Sequence, residues 1–381
     1  MVYLDNAATS WPKPESVYRE MDRFYREFGA NPGRSGHRMA VAAERKIEET
    51  RHRLARLFNA PDPARIIFAL NATDALNMAI KGVLRPGDHV VTTLLEHSSV
   101  SRPLMGLERN GVAVTRVAPD AGGFAGVDAI TRAVRPATRL IALTHASNVL
   151  GTLQPARDAG RLAREKNILF LLDAAQTAGL IPVDVVADHV DLLAFPGHKS
   201  LLGPAGTGGL YVGERAEVSV WREGGTGADS ASPEQPAELP FHLEAGTPNI
   251  AGIAGLCEGL KFIAEKGIAA ILEHERRLLE MLIEGLRNDK RFTLYGSLDV
   301  ARRVPTLALN LAGQEPTDVG TILDQNFGIA VRTGLHCAPS THQVMGAWPA
   351  GSVRLSPGYF NTRAEVEQAL AALKQIASAK I

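Results

Sequence analysis

The chain has 381 residues, 45% of them hydrophobic, and its Lys+Arg 41 balance its Asp+Glu 41. That length suits one large α/β unit and a smaller one, and the charge balance creates no overall field for nucleic acid or an anionic membrane. Mean hydropathy is −0.03 and no apolar run approaches the roughly 20 residues of a membrane span.

In chain order, the start Met1-Val2-Tyr3-Leu4-Asp5 lacks the basic and apolar regions of a signal peptide. Two cysteines, Cys257 and Cys337, make neither a disulfide framework nor a zinc site by themselves, so a reducing cytoplasm is the expected setting. Short apolar runs at 65–69, 89–94, 139–143 and 168–172 then alternate with helical stretches such as 74–84 and 155–166. Strands apolar on both faces, separated by helices, predict a mostly parallel sheet covered on both sides. Ligands of such sheets bind beyond the carboxyl ends of the strands. There the sequence places Asn71-Ala72-Thr73-Asp74, Glu96-His97, His145-Ala146-Ser147-Asn148, Asp173-Ala174-Ala175-Gln176 and Gly197-His198-Lys199. Residues 224–248, rich in Gly, Pro and acidic side chains, read as a long loop. Helices over 250–266 and 268–288, strands at 306–310 and 329–332 and a last helix over 362–377 complete a second α/β unit. The expected division is a large domain, 15–250, and a small one made of 1–14 and 251–381.

Lys199 follows the apolar run 191–195 and a Pro196-Gly197-His198 turn, with Gly-rich sequence after it. Lysines at strand ends are usually solvated, but one ringed by small residues is poorly hydrated and suited to attack an aldehyde carbon. A pyridoxal-phosphate site needs such a lysine, an acid for the pyridine nitrogen, donors for the phosphate and a face over the ring. Asp173 can be the acid or an N-cap. Ala72 and Thr73 can hold the phosphate or simply cap the helix that starts near Asp74. His97 can stack on the ring, and Gln176 can donate to its hydroxyl oxygen. No Gly-x-Gly-x-x-Gly follows the first strand, which sets aside a dinucleotide site.

These motifs, with Tyr3-Leu4-Asp5-Asn6-Ala7-Ala8, Glu244-Ala245-Gly246-Thr247-Pro248-Asn249 and Arg332-Thr333-Gly334-Leu335-His336-Cys337, span the whole chain in order. Together they resemble the class V, fold-type I pyridoxal-phosphate enzymes, in particular the cysteine desulfurase and selenocysteine lyase group, including its SUF-type members. The resemblance implies a fold-type I architecture with a seven-stranded, mostly parallel sheet and a smaller C-terminal α/β domain bearing a catalytic-cysteine loop. It implies that Lys199 is the Schiff-base lysine, Asp173 the partner of the pyridine nitrogen, His97 the stacking residue and Gln176 the donor to the phenolic oxygen. Ala72, Thr73 and His198 match the phosphate group. Thr247 matches the residue that family dimers lend to a neighbouring subunit's phosphate. Asn148, Arg332 and Arg354 match positions around the substrate, with Arg354 pairing its carboxylate.

Cys337 separates desulfuration from other pyridoxal chemistry, because Arg332 and His336 lie close in sequence and nearby cations favour the thiolate. Cys257, among Ala254, Gly255 and Leu256, reads as a packed, inert thiol. The activity so implied converts L-cysteine to L-alanine, leaving sulfur on Cys337 for an acceptor protein or small thiol. Selenocysteine lyase or another class V aminotransferase or β-lyase is the alternative. Pro196 departs from the family's hydroxyl residue, removing a phosphate donor, and Leu335 and Pro339 depart from the best-known sequences around the cysteine.

Overall fold

A computed structural model describes residues 1–32, 36–227 and 231–378. A two-residue strand, β1 (Val2–Tyr3), opens the chain. The large sheet is built from β2 (Ile66–Ala69), β3 (His89–Thr93), β4 (Ala113–Val117), β5 (Thr138–Thr144), β6 (Leu169–Asp173), β7 (Leu192–Pro196) and β8 (Gly208–Val212). Its spatial order is β2-β8-β7-β6-β5-β3-β4. All neighbouring pairs are parallel except those made by β8, which runs antiparallel to β7 and to β2. The remaining strands are β9 (Phe292–Leu294), β10 (Leu307–Leu311), β11 (Ile329–Ala330), β12 (Arg332–Gly334) and β13 (Ser352–Leu355). Four of them form a sheet in the order β12-β13-β10-β9, while β11 pairs with β1.

The two-sided apolar strands do what their composition predicts. Along β6, Phe170 and Leu172 enter one buried cluster with Phe58, Phe195 and Leu256, whereas Leu169 and Leu171 enter the cluster on the opposite face with Leu76, Leu140 and Leu210. A third cluster, containing Leu4, Leu279, Leu309, Val353 and Leu373, packs the small sheet against the helices Ile268–Leu286 and Arg363–Ser378. The helix Ile250–Lys266 is apolar nearly all round because it is sandwiched, packing on Glu15–Glu27 and on Arg38–Leu57. Cys257 on that helix is fully enclosed, and burial pushes its thiol up.

One expectation changes, and one strand is additional. The run 329–332 divides, Ile329–Ala330 joining β1 and Arg332–Gly334 joining β13, so Arg332 lies opposite Arg354 in the register. The additional strand is edge strand β4, whose sequence, Ala-Val-Thr-Arg-Val, lacks a continuous apolar run because most of its residues stay partly exposed.

The loop that carries Thr247 is anchored from the core. Glu244 accepts from the backbone N–H of Phe68 at 2.6 Å and from Arg51 Nη1 and Nη2 at 2.9 and 3.1 Å. Arg51 is 3% exposed and lies over the Phe68 ring, so the pair is a bidentate clamp inside the fold.

Candidate active site

The chain orders β3, β5, β6 and β7 so that their carboxyl ends present His97, Asn148, Asp173 and the Gly197-His198-Lys199 turn on one edge. The turn exists because Gly197 does. A Cβ there would sit 2.1 Å from Thr207 Oγ1, and one on Gly208 would sit 2.9 Å from the Asn71 Cα at the head of the helix Ala72–Val83. The N-terminal segment closes over the turn from outside, with Lys13 Nζ donating to the His198 carbonyl at 2.7 Å and Thr9 Oγ1 donating to it at 3.0 Å.

At the head of helix Ala72–Val83, Asn71 caps the backbone N–H of Asp74 at 2.9 Å, which leaves Ala72 and Thr73 at the open first turn. Thr73 Oγ1 lies 2.7 Å from Ser99 Oγ, and Ser99 Oγ lies 2.9 Å from His97 Nδ1. The Ser99 backbone N–H also donates to that Nδ1, so the imidazole proton sits on Nε2. Burial and the charges of Lys199, Arg332, Arg102 and Arg354 hold His97 near pKa 4. It is a neutral ring.

Facing these residues is the small sheet. Arg354 in β13 is 1% exposed; its Nη1 donates to the Asn148 carbonyl at 3.0 Å and its Nη2 to Asp5 Oδ1 at 2.6 Å. Asn148 Nδ2 in turn donates to the His336 carbonyl at 2.7 Å. Both the backbone N–H and the hydroxyl of Ser98 donate to the Cys337 carbonyl at 2.8 Å. Cys337 itself is exposed at φ 58, with Arg332 Nη2 3.7 Å from its Sγ. His336 does not act as the second cation. Its ring is buried against Ser352, and burial drives it to about 2, so among the described residues Arg332 is the cation beside the thiol, its Nη2 reaching Sγ.

Residues 2–369 match the family model described as Aminotransferase class-V. The chain belongs to that family. It is 37% identical over 382 residues to a probable cysteine desulfurase of Methanothermobacter thermautotrophicus, covering 99% of this chain and 94% of the relative. It is 35% identical over 388 residues to a cysteine desulfurase of Yersinia pestis, covering 99% of this chain and 93% of the relative. Among solved structures, the apo cysteine desulfurase of Thermococcus onnurineus superposes with a TM-score of 0.93 at 33% identity, covering 99% of this chain and 94% of that one.

As a class-V enzyme of this kind the chain uses pyridoxal 5′-phosphate, and its residues fit that group. Asp173 is 3% exposed; its Oδ1 accepts from the Ala175 backbone N–H at 2.9 Å, while burial raises its carboxyl and the Lys199 charge opposes that rise. A protonated ring nitrogen supplies the cation such an acid lacks. Lys199 is pulled down to about 8, first by burial, then by Arg354, with Asp173 pulling the other way. An amine so placed is neutral enough near neutral pH to form a carbon–nitrogen bond. Gln176 Nε2 donates to the Ala7 carbonyl at 3.2 Å, which ties the turn after β6 to the N-terminal segment. Thr247 is exposed on its anchored loop and stands outside this hydrogen-bonded set.

The hydrogen-bonded set also includes residues to which sequence reasoning assigned no role: Asp5, Ser98, Ser99 and Glu96. Glu96 was visible in the Glu-His pair, but its role depends on burial. It is 3% exposed; its Oε1 accepts from Thr93 Oγ1 at 2.7 Å and from the Thr144 backbone N–H at 3.1 Å. Burial raises it to about 8, with Asp173 adding to the rise, so it keeps its proton at neutral pH. The folded state therefore holds a proton the unfolded chain gives up. That contribution to stability is complete below the usual glutamate range and disappears as pH rises from about 4.5 to about 8. Glu96→Gln should flatten that part of the profile. Melting temperatures measured every half pH step check this; a variant whose slope equals the parent's would show that Glu96 ionises freely.

Proposed function

We propose how this class-V enzyme works as a cysteine desulfurase: L-cysteine is converted to L-alanine, and its sulfur passes through Cys337 to an acceptor protein or small thiol. The observation that carries the reading is the pair of β-strand neighbours Arg332 and Arg354, which links the two reactive groups. Arg332 stands by Cys337 Sγ, and both arginines depress the basicity of Lys199.

In this reading pyridoxal phosphate, held by Lys199 with Asp173 at its ring nitrogen, supplies an electron sink for the substrate's α-carbon. His97 would cover the ring face, and Gln176 would donate to its hydroxyl oxygen. Ala72, Thr73 and His198 would hold the phosphate, with Thr247 contributed across a homodimer; Pro196 would provide no hydroxyl there. Arg354 takes the substrate carboxylate beside Asn148. Lys199 Nζ, whose neutral form becomes accessible because burial has pulled it down to about 8, removes the α-proton. Cys337 Sγ, with Arg332 beside it, attacks the substrate sulfur: the sulfur–sulfur bond forms, the carbon–sulfur bond breaks with its electron pair left on the substrate side, Cys337 is oxidised to a persulfide, and the substrate carbon takes up a proton and is reduced to a methyl group. The large domain 15–250 and the small domain 1–14 with 251–381 meet at this cleft, the latter bringing the cysteine. The exposed thiol needs a reducing compartment, which in this reading is the cytoplasm.

Incubating the cofactor-loaded protein with L-cysteine and measuring alanine together with cyanide-labile sulfur on Cys337 tests the reading. Equimolar alanine and protein-bound sulfur in the first turnover are expected. Pyruvate or free keto acid without alanine would place the chain in another class-V reaction.

A further inference from the structure

The arginine assigned to the substrate carboxylate is not free to receive it. Arg354 is 1% exposed, and the Asp5 carboxylate, 20% exposed, covers its outer side at 2.6 Å. Asp5 is held in place by its own backbone, which bridges Ser356 next to β13, and by the pairing of β1 with β11. The guanidinium has five N–H donors. Nη1 is spent on Asn148 and Nη2 on Asp5, while Nε is buried with no acceptor at all. A charge this enclosed cannot be left unpaired without a large penalty, because water cannot replace the lost partner. Arg332, opposite in the register, adds a second guanidinium, so the place favours an anion whether or not substrate is bound.

We propose that Asp5 is a stand-in carboxylate: it neutralises Arg354 while the site is empty and gives up the guanidinium to the carboxylate of an incoming amino acid. This rests on the assignment of Arg354 made above. Substrate binding then exchanges one ion pair for another, with the idle Nε available to make the new pair bidentate. The exchange weakens the grip on every α-carboxylate, product included, which favours release of alanine. Asp5 is therefore a positioning and specificity-determining residue, setting how much an α-carboxylate adds to affinity.

The test uses the cofactor-loaded protein and two ligands that cannot lose sulfur: L-alanine, and ethylamine, which is alanine without its carboxylate. Each is titrated by the change in cofactor absorbance, and the ratio of the ethylamine Kd to the alanine Kd isolates the carboxylate, since both amines meet Lys199 alike. Asp5→Asn keeps the shape and removes the charge. The ratio is expected to rise about tenfold, the size of one charge-assisted bond. In Arg354→Gln the ratio is expected to collapse towards one. An Asp5→Asn ratio equal to or below the parent's, with collapse in Arg354→Gln, overturns the stand-in role and leaves Arg354 as the carboxylate site. A parental ratio in Arg354→Gln overturns both. Should Asp5→Asn not hold cofactor, a crystal structure of the unmodified protein with L-alanine decides: Arg354 Nη2 bonded to alanine supports the proposal, and Nη2 still on Asp5 refutes it.

Discussion

Lys199→Ala is expected to abolish turnover of L-cysteine, by about four orders of magnitude or more, because one side chain is both the anchor of the cofactor and the base at the α-carbon. The protein should still fold, since burial disfavours the Lys199 ammonium in the first place and its loss only lets the buried Asp173 carboxyl rise further and keep its proton. Two measurements separate the roles. Borohydride should fix cofactor to the peptide containing position 199 in the parent and to no peptide in the variant. Externally added methylamine should restore part of the proton transfer but none of the covalent capture. Cofactor trapped at another lysine of the parent would refute the assignment. The pH profile carries a sign as well: with Lys199 near 8, raising pH through that value increases the fraction of neutral amine, so the basic limb of first-turnover rates should climb before other groups fail.

Cys337→Ser is the second large effect. It should leave cofactor binding unchanged, because the thiol is exposed on a loop fixed by its own backbone through Ser98 and Asn148 and not by the sulfur. Sulfur release should fall by about a thousandfold or more, since a hydroxyl is neither ionised at neutral pH nor a comparable nucleophile towards sulfur. Single-turnover alanine formation reads this directly, and a parental rate would exclude Cys337 as the acceptor of sulfur. The φ of 58 at Cys337 and of 48 at His336 place both residues in the left-handed region, a conformation the loop maintains through those backbone bonds.

Much of this architecture was legible from periodicity. Runs such as 168–172 are apolar on both faces because the strand is covered on both faces, and Phe170 and Leu171 do enter opposite clusters. Helix Ile250–Lys266 was readable to the residue, since Asn249 caps it and Gly267, at φ 82, ends it. Less legible were the helices Glu15–Glu27 and Arg38–Leu57, whose apolar stripes are thin and interrupted by charge. The polar groups gathered at the strand ends were readable because the strand bodies between them carry almost none.

What the chain's order of residues determined by itself is which groups are present and on which edge: a period of two or of 3.6 sets a face, and a strand's direction sets its carboxyl end. What only the tertiary structure decided is the charge state and pairing of those groups. Asp5 and Arg354 are 349 positions apart, and their contact exists because β1 lies beside β11 while Asp5 bridges Ser356. His336, two residues from Gly334 and next to Cys337, reads as a cation in sequence but folds inward and stays neutral. Burial and long-range pairing set a proton's affinity, and neither is a property of neighbouring letters.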